Sequence, residues 1–420
     1  MKCRHCSAPV SVPLADLGTA PPSNAYLRPD ALQAPERWYP LRVLVCTQCW
    51  LVQTEDFAQA RELFDDDYAY FSSFSSSWLA HAQSYVHDMV QRLGLGPNSH
   101  VVEVAANDGY LLQYVAQRGI PCLGVEPTAS TAAAARAKGI EVVEAFFGVS
   151  LAQELLDRGH AADLTVANNV LAHVPDINDF VAGFATLLKP TGVATFEFPH
   201  LLQLVQHSQF DTLYHEHFSY LSLTAVQRIF AAAGLTVFDV QELPTHGGSL
   251  RVFACRSDGV SPQGSASTAP QPRAIEPTVP AMLAREAAAG VASTGFYQGF
   301  QQQCLRIKRE LLTFLLDAQA RGLRVAAYGA AAKGNTLLNF AGVRPDLLPY
   351  VVDKNPAKQG KYLPGSRIPI VDEAHLRQHQ PDVVLILPWN LQAEVMAQLG
   401  YIRAWGGRFA VAVPHWQVLA

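Results

Sequence analysis

The chain has 420 residues, too many for one ordinary hydrophobic core, so two or three domains are expected. Hydrophobic residues make up 49% and charged residues 16%, and a net charge of −5 supplies no global attraction to nucleic acid or to an anionic membrane. No run approaches the roughly 18 apolar residues that cross a bilayer, and the opening Met-Lys-Cys-Arg-His-Cys lacks the apolar stretch of a secretion signal, so a cytoplasmic location is expected.

Cys3 and Cys6 form one C-x2-C pair, Cys46 and Cys49 a second. Two thiolates at this spacing reach one metal from a tight turn, and two such pairs predict a tetrahedral zinc site with four sulfur ligands. Disulfides are not expected in a cytoplasmic chain, and Cys122, Cys255 and Cys304 read as buried small hydrophobes. Residues 1–70 carry turn signals such as Pro21-Pro22-Ser23-Asn24 and no long helical period. They read as a small lobe that depends on its metal. Residues 76–95 follow as an amphipathic helix, with Trp78, Ala82, Tyr85, Val86 and Met89 near helical spacing.

Apolar runs at 101–104, 122–125, 164–167 and 193–198 read as strands, with helices at 109–116 and 130–138. This alternation predicts a parallel, doubly wound sheet. Glu103, Asn107, Asp108 and Gly109 lie where the first strand turns into a helix, and Glu126 ends the second strand. Ligands of open α/β sheets bind at such strand ends. The G-x-G-x-x-G order of a pyrophosphate cradle is absent, so the acidic loop suits a ligand with cationic and hydroxyl groups such as S-adenosylmethionine. Glu126 is placed to accept both hydroxyls of its ribose. Asn168, Asn169 and His173, after the 164–167 strand, are expected to face the cofactor sulfur and the acceptor, although His173 alone also reads as a helix-start histidine.

The run Tyr214-His215-Glu216-His217 concentrates ionisable groups. In an extended segment His215 and His217 would share one face, whereas in a turn Tyr214, Glu216 and His217 could converge. A histidine oriented by a carboxylate is a general-base pair; a surface polar turn or a second metal site are the alternatives. Thr245-His246-Gly247-Gly248-Ser249-Leu250-Arg251 allows close backbone approach to a ligand, or is simply a turn. Residues 256–280 are rich in Ser, Gly, Pro and Thr and read as an exposed linker. A helix at 296–319 leads into a second α/β cycle with strands at 325–328, 350–352 and 383–387. Its loop at 329–334, with Lys333, lacks the order of an ATP-binding phosphate loop but would make a diphosphate site at a helix N-terminus. Trp389 and Asn390, after the last of these strands, offer a stacking ring and an amide for a base.

Together, Cys3-Arg4-His5-Cys6, Leu17-Gly18, Pro22-Ser23-Asn24, Cys46-Thr47-Gln48-Cys49, Glu103 through Gly109, Tyr214 through His217, His246 through Ser249 and Tyr328 through Gly334 resemble the three-domain sugar C-methyltransferases of deoxysugar pathways. The resemblance spans nearly the whole chain. It implies a zinc-binding lobe (1–70), a doubly wound α/β methyltransferase domain (71–255), a linker (256–295) and a C-terminal Rossmann-like α/β domain that holds a nucleotide sugar (296–420). The implied reaction is S-adenosylmethionine-dependent methylation at C3 of a nucleotide-linked 4-keto-deoxysugar, with zinc structural and the protein a monomer or small homo-oligomer. The resemblance assigns His217 as the base, with Glu216, Tyr214 and His173 beside it. It assigns Glu103, Asn107, Asp108, Gly109, Glu126, Phe146, Asn168 and Asn169 to the cofactor. Tyr68, Tyr70, His173, His246, Ser249, Arg251, Lys333, Asn335, Trp389 and Asn390 fall to the substrate. Three departures stand out: Ala105-Ala106 replaces a more usual Gly-Ser, the Ser/Pro-rich stretch at 260–275 reads as an insertion, and 39 residues separate the cysteine pairs. O- or N-methylation of a sugar, or a zinc-containing nucleotide-binding module without catalysis, are the other readings.

Overall fold

The computed structural model describes residues 1–57, 71–259 and 273–419, so the Ser/Pro-rich stretch at 260–272 falls outside the described residues. Strands Val12–Ala20, Tyr39–Val45 and Val52–Thr54 form an antiparallel N-terminal sheet. In the second of these, Leu41, Val43 and Val45 point inward at alternate positions, the period of two that places one face of a strand on a core. A fourth strand, Ser219–Tyr220, comes from the middle of the chain and pairs with Val52 and Gln53.

The two cysteine turns share one form. Ser7 N donates to Cys3 O and Trp50 N to Cys46 O, both at 2.9 Å. Ser7 (φ 60°) and Trp50 (φ 65°), each the residue after the second cysteine, adopt the left-handed conformation. The turns bring all four Sγ atoms within 4.8 Å of one another, with Cys3–Cys49 and Cys6–Cys46 each at 3.5 Å. Tetrahedral zinc with bonds of about 2.3 Å separates its sulfurs by about 3.8 Å, so the donor set fits zinc. Four thiolates leave no open coordination position, which makes the metal structural. Cys3, Cys46, Cys49, Val10 and Leu51 pack in one core with Ile177 and Phe180 of the central domain. Arg4 lies over the Phe218 ring and donates to Pro175 O.

The central sheet has seven strands in the order Leu235–Leu243, Ser249–Arg256, Leu188–Pro199, Ala162–Asn168, Val101–Val104, Cys122–Val125, Glu141–Val143. The last five in that order are parallel, and the first two add an antiparallel hairpin. All four residues of Val101–Val104 are buried, as helices covering both faces of a parallel sheet require. Chain order reverses between Val101–Val104 and Ala162–Asn168, which opens a crevice at their carboxyl ends.

Part of the expected linker is structured. Residues Thr278–Ala289 form a helix that buries Val279, Met282 and Glu286 against the central core. The buried Glu286 carboxylate accepts from Leu223 N and Thr224 N, both at 2.7 Å, at the start of the helix Leu223–Ala232, and pairs with His200 Nε2. The i, i+3, i+7 spacing of 279, 282 and 286 carries this helix, and the Ser/Pro composition just before it masked that signal.

The C-terminal sheet runs Ile370–Val371, Val351–Val352, Val325–Tyr328, Val383–Ile386, Arg408–Val411, Gln417–Leu419, parallel except for the last strand. Its own switch point lies between Val325–Tyr328 and Val383–Ile386. The helix Phe300–Ala320 presents Phe300, Cys304, Ile307, Leu311, Leu315 and Ala318 as one buried stripe. That stripe joins Leu14, Leu17 and Val43 of the N-terminal sheet to Val325 and Leu337 of the C-terminal unit in one core. The expected architecture of zinc lobe, doubly wound centre and Rossmann-like C-terminal unit is present. Among the described residues, no helix is long and apolar enough to cross a membrane.

Gln53 supports the metal from outside its ligand set, since its Nε2 donates to Cys3 Sγ at 3.3 Å while Oε1 accepts from Arg4 N at 3.0 Å. Replacing it with alanine is expected to weaken zinc affinity by roughly 10–100-fold in chelator competition. Unchanged affinity would show that the thiolates need no such support.

Candidate active site

The loop after Val101–Val104 holds three left-handed residues, Ala105 (φ 59°), Asn107 (φ 49°) and Gly109 (φ 74°). Gly109 also lacks room, for a Cβ there would lie 2.4 Å from Ile140 Cδ1. At Ala105 the conformation costs on the order of 1–2 kcal/mol for a residue with a Cβ, which explains why glycine suits that position. Glu126 braces the loop: Oε2 accepts from Asn107 N at 2.9 Å and Oε1 from Thr128 N at 3.0 Å. A carboxylate still has capacity for further donors after two such bonds. Asn107 Oδ1 and Asp108 Oδ2 accept from Ser72 N and Ser73 N, so these side chains fasten the short helix Ser72–Phe74 over the loop. Phe146 lies half-exposed beyond the strand Glu141–Val143.

Several polar atoms at this switch point are buried and, among the described residues, unpaired. Both Glu103 carboxylate oxygens, Asp108 Oδ1 and both ends of the Asn168 amide have no hydrogen-bond partner there at ordinary geometry. Burial pushes Glu103 well above the usual carboxylate range, with the Tyr110 hydroxyl pulling the other way. Groups of this kind are rare in a folded interior. Clustered at one crevice, they fit the amino, carboxylate and hydroxyl groups of S-adenosylmethionine.

Residues 214–217 form a turn closed by His217 N donating to Tyr214 O at 2.9 Å. The turn brings its first and last side chains together, with the Tyr214 and His217 rings 4.0 Å apart and tilted by 34°, and His173 packs edge-on against His217 at 4.5 Å. His217 Nδ1 is 3.0 Å from Thr212 O, and His173 Nδ1 is 2.8 Å from Glu216 O. A carbonyl oxygen only accepts, so each Nδ1 carries the proton and Nε2 of His217 is left as an acceptor.

The middle of the turn points elsewhere. Glu216 accepts from Ser23 Oγ on both oxygens at 3.0 Å, from Asn24 N at 3.1 Å and from Asn24 Nδ2 at 3.2 Å. His215 Nε2 faces Tyr39 O and Pro40 O at 3.2 and 3.3 Å. The expected orienting carboxylate of His217 is therefore replaced by the Thr212 carbonyl. In a four-residue turn the ends meet and the two central side chains project outward, here into the N-terminal lobe. That lobe also holds the turn from beyond, with Thr54 Oγ1 donating to His217 O at 3.1 Å.

Around this turn, Asn169 (φ 53°) donates through Nδ2 to His246 Nε2 (His246 φ 54°) at 3.0 Å, and the His246 ring packs against Trp78. The helix Ser76–Leu93 carries Trp78 and His81 on one face, stacked 4.9 Å apart. His81 and Arg251 both meet the buried Glu197, at 2.8 and 2.6 Å. Arg251 is thus committed through Nη2 to an internal ion pair, and Ser249 Oγ donates to Thr245 O at 2.9 Å. Asn335 Nδ2 donates to Ser23 O at 2.6 Å, joining the lobes. Lys333 Nζ donates to Asn390 Oδ1 at 2.6 Å and lies 4.6 Å from the Trp389 ring. Tyr68 and Tyr70 lie outside the described residues. Thr212, Asp211 and Glu197 were not singled out from sequence; an acid between Phe196 and Phe198 at a strand end was the available signal for Glu197.

Burial pushes His173 and His246 down to about 4 and His217 well below the usual histidine range, so all three are neutral near pH 7. A neutral imidazole is the form a base requires. The linked stability follows in sign. Between pH 6.5 and about 4 the unfolded histidine binds a proton that the folded one does not, so stability is lost on acidification through that window. His246→Asn is therefore expected to lose about 2 kcal/mol less stability than the wild type between pH 7 and pH 5. Parallel urea titrations read the difference, and identical pH slopes would mean that His246 is solvated.

Residues 78–240 match the family model of a methyltransferase domain, residues 244–414 a C-methyltransferase C-terminal domain, and residues 3–64 a zinc binding domain. The chain is 33% identical over 419 residues to C-methyltransferase NovU of Streptomyces niveus, covering 100% of this chain and 97% of the relative. Similar solved structures include magnesium protoporphyrin IX methyltransferase of Synechocystis, at 18% identity over 43% of this chain and 82% of that one with a TM-score of 0.32. Another is an S-adenosylmethionine-dependent methyltransferase of Clostridium acetobutylicum, at 10% identity over 42% and 92% with a TM-score of 0.34. These structural scores are too low to add to the fold described above. The full-length relative decides the matter: the chain belongs to the S-adenosylmethionine-dependent C-methyltransferase family whose members carry a zinc-binding lobe.

Proposed function

We propose that the enzyme methylates C3 of a nucleotide-linked 4-keto-deoxysugar, with His217 as the base. The observation that carries this reading is the neutral His217, held by the Thr212 carbonyl with Nε2 unprotonated, in a turn gripped by the zinc lobe. A C4 ketone acidifies the neighbouring C3 proton, which a positioned imidazole can remove at neutral pH. Tyr214, packed against His217, contacts the sugar oxygens, and His173 buttresses the imidazole edge-on. S-adenosylmethionine supplies an electrophilic methyl group. Glu126 would hold its ribose, and Glu103 with Asn168 its methionine end, because these are the acids and unpaired amides of the crevice. The Glu216 carboxylate acts at a distance, by fixing the turn to Ser23 and Asn24.

Incubation with a panel of dTDP- and GDP-linked 4-keto sugars, read by mass, tests the substrate class. Retention of a C3 proton in a methylated product would move the reaction to oxygen or nitrogen. His217→Asn is expected to lower turnover by about 10²–10⁴-fold while cofactor and nucleotide-sugar affinity stay near wild type, since a base acts in the transition state. Near-normal turnover would remove His217 from that role. Glu126→Ala should weaken S-adenosylmethionine binding by about 2–3 kcal/mol in calorimetry, the loss of charged hydrogen bonds. Equal affinity would place the ribose elsewhere.

A further inference from the structure

We infer that the Lys333 ammonium is the electrophile for the ketone oxygen, taking up the negative charge that develops as His217 removes the C3 proton; this rests on the reaction proposed above. Lys333 lies in the first turn of the helix Ala332–Ala341, at the switch point of the C-terminal sheet. Its Nζ donates to Asn390 Oδ1, which among the described residues uses one of three N–H donors. The ring beneath it is fixed on two sides. Trp389 Nε1 donates to Asp211 Oδ2 at 2.8 Å, one residue from Thr212, and a Cβ at Gly247 would come within 2.4 Å of the same indole. The ammonium is thereby held between the segment that orients His217 and the segment that carries His246.

A further bond ties the two segments together. Thr336 Oγ1 donates to Leu213 O at 2.9 Å, so the Lys333 helix is pinned directly to the start of the histidine turn. The Lys333 charge acts on both His217 and His246, pressing them further toward the neutral form. Asp211 balances that charge from across the indole without touching the ammonium. A half-buried ammonium with no direct anionic partner among the described residues is costly, and an oxygen that becomes anionic during reaction supplies one.

The alternative, that Lys333 serves a diphosphate at its helix N-terminus, meets an obstacle in the loop itself. Asp353 Oδ2 takes the Ala330 amide at 2.8 Å, which puts a carboxylate on the loop that precedes the helix and opposes a second anion there. Tyr26 and Lys358 close over Ala330 O at 2.6 and 2.8 Å.

The step balances on the substrate alone. His217 Nε2 takes the C3 proton, the C–H pair becomes the C3–C4 π bond, and the carbonyl π pair moves to oxygen, where Lys333 donates a hydrogen bond without giving up its proton. Return of a proton or deuteron from His217 to C3 restores the ketone. Exchange of C3–H in D2O, without S-adenosylmethionine, therefore reads the step directly.

With dTDP- and GDP-linked 4-keto-6-deoxyhexoses as probes, Lys333→Gln is expected to slow exchange by about 10²–10³-fold. Affinity for dTDP or GDP alone should stay within about 3-fold of wild type. Unchanged exchange, or a large loss of nucleoside diphosphate affinity, would overturn the assignment. Lys333→Arg keeps the charge but displaces the donors, and should fall between the two. If Lys333→Gln does not fold, exchange by Lys333→Arg equal to wild type overturns the assignment by itself. Absence of exchange in the wild type with both sugars would overturn the proposed reaction, and this role with it.

Discussion

The grip of Ser23 and Asn24 on the Glu216 carboxylate is the contact on which the chamber depends. Three donor groups from one dipeptide, the Ser23 hydroxyl shared between both oxygens, meet a buried carboxylate, which compensates for taking it out of water. The same dipeptide accepts from Asn335 through Ser23 O, so two residues of the N-terminal lobe bind the central turn and the C-terminal helix at once. Remove the carboxylate and the turn loses its outward anchor, while the Glu216 carbonyl that fixes His173 is free to rotate. The three units thus meet at the turn that carries His217.

Burial holds the imidazoles of this region uncharged near pH 7, and the Lys333 ammonium acts on two of them. Burial, not a neighbouring carboxylate, dominates the shifts of His173, His217 and His246. The nearby carboxylates are bound elsewhere: Glu197 by His81 and Arg251, Glu216 by the N-terminal lobe. An ionised acid against His217 would raise its affinity for protons and stabilise the imidazolium. A carbonyl orients the ring with no net charge, and so leaves its basicity to be set by desolvation.

Much of this was legible in the chain. The duplicated C-x2-C spacing, the apolar strand runs and the acids at their ends correspond to the cysteine cluster and to Glu103 and Glu126 in the crevice. What the chain did not disclose depends on partners distant in sequence. Whether Glu216 meets His217 depends on whether residues 214–217 turn or extend, and that is settled by pairing of Ser219–Tyr220 with a strand more than 160 residues earlier. Arg251 reads as an available cation until Glu197 is seen opposite it on the strand Leu188–Pro199. The helix Thr278–Ala289 was lost in its Ser/Pro surroundings, although its buried positions keep helical spacing.

The composite N-terminal sheet has a consequence for how the molecule is assembled. The cysteine turns involve residues 3 to 49 and can close on zinc as soon as that segment is free of the ribosome. The sheet they anchor gains its last strand only with residues 219–220, and its apolar floor only with the helix Phe300–Ala320. The first segment made is therefore among the last to be finished, and it exposes Leu14, Leu41 and Val43 in the interval. Contacts of such sequence separation form slowly, and open apolar surface in nascent chains invites aggregation. Early metal capture limits that hazard by shortening the loose chain, so zinc acts as a folding scaffold before it serves as a brace.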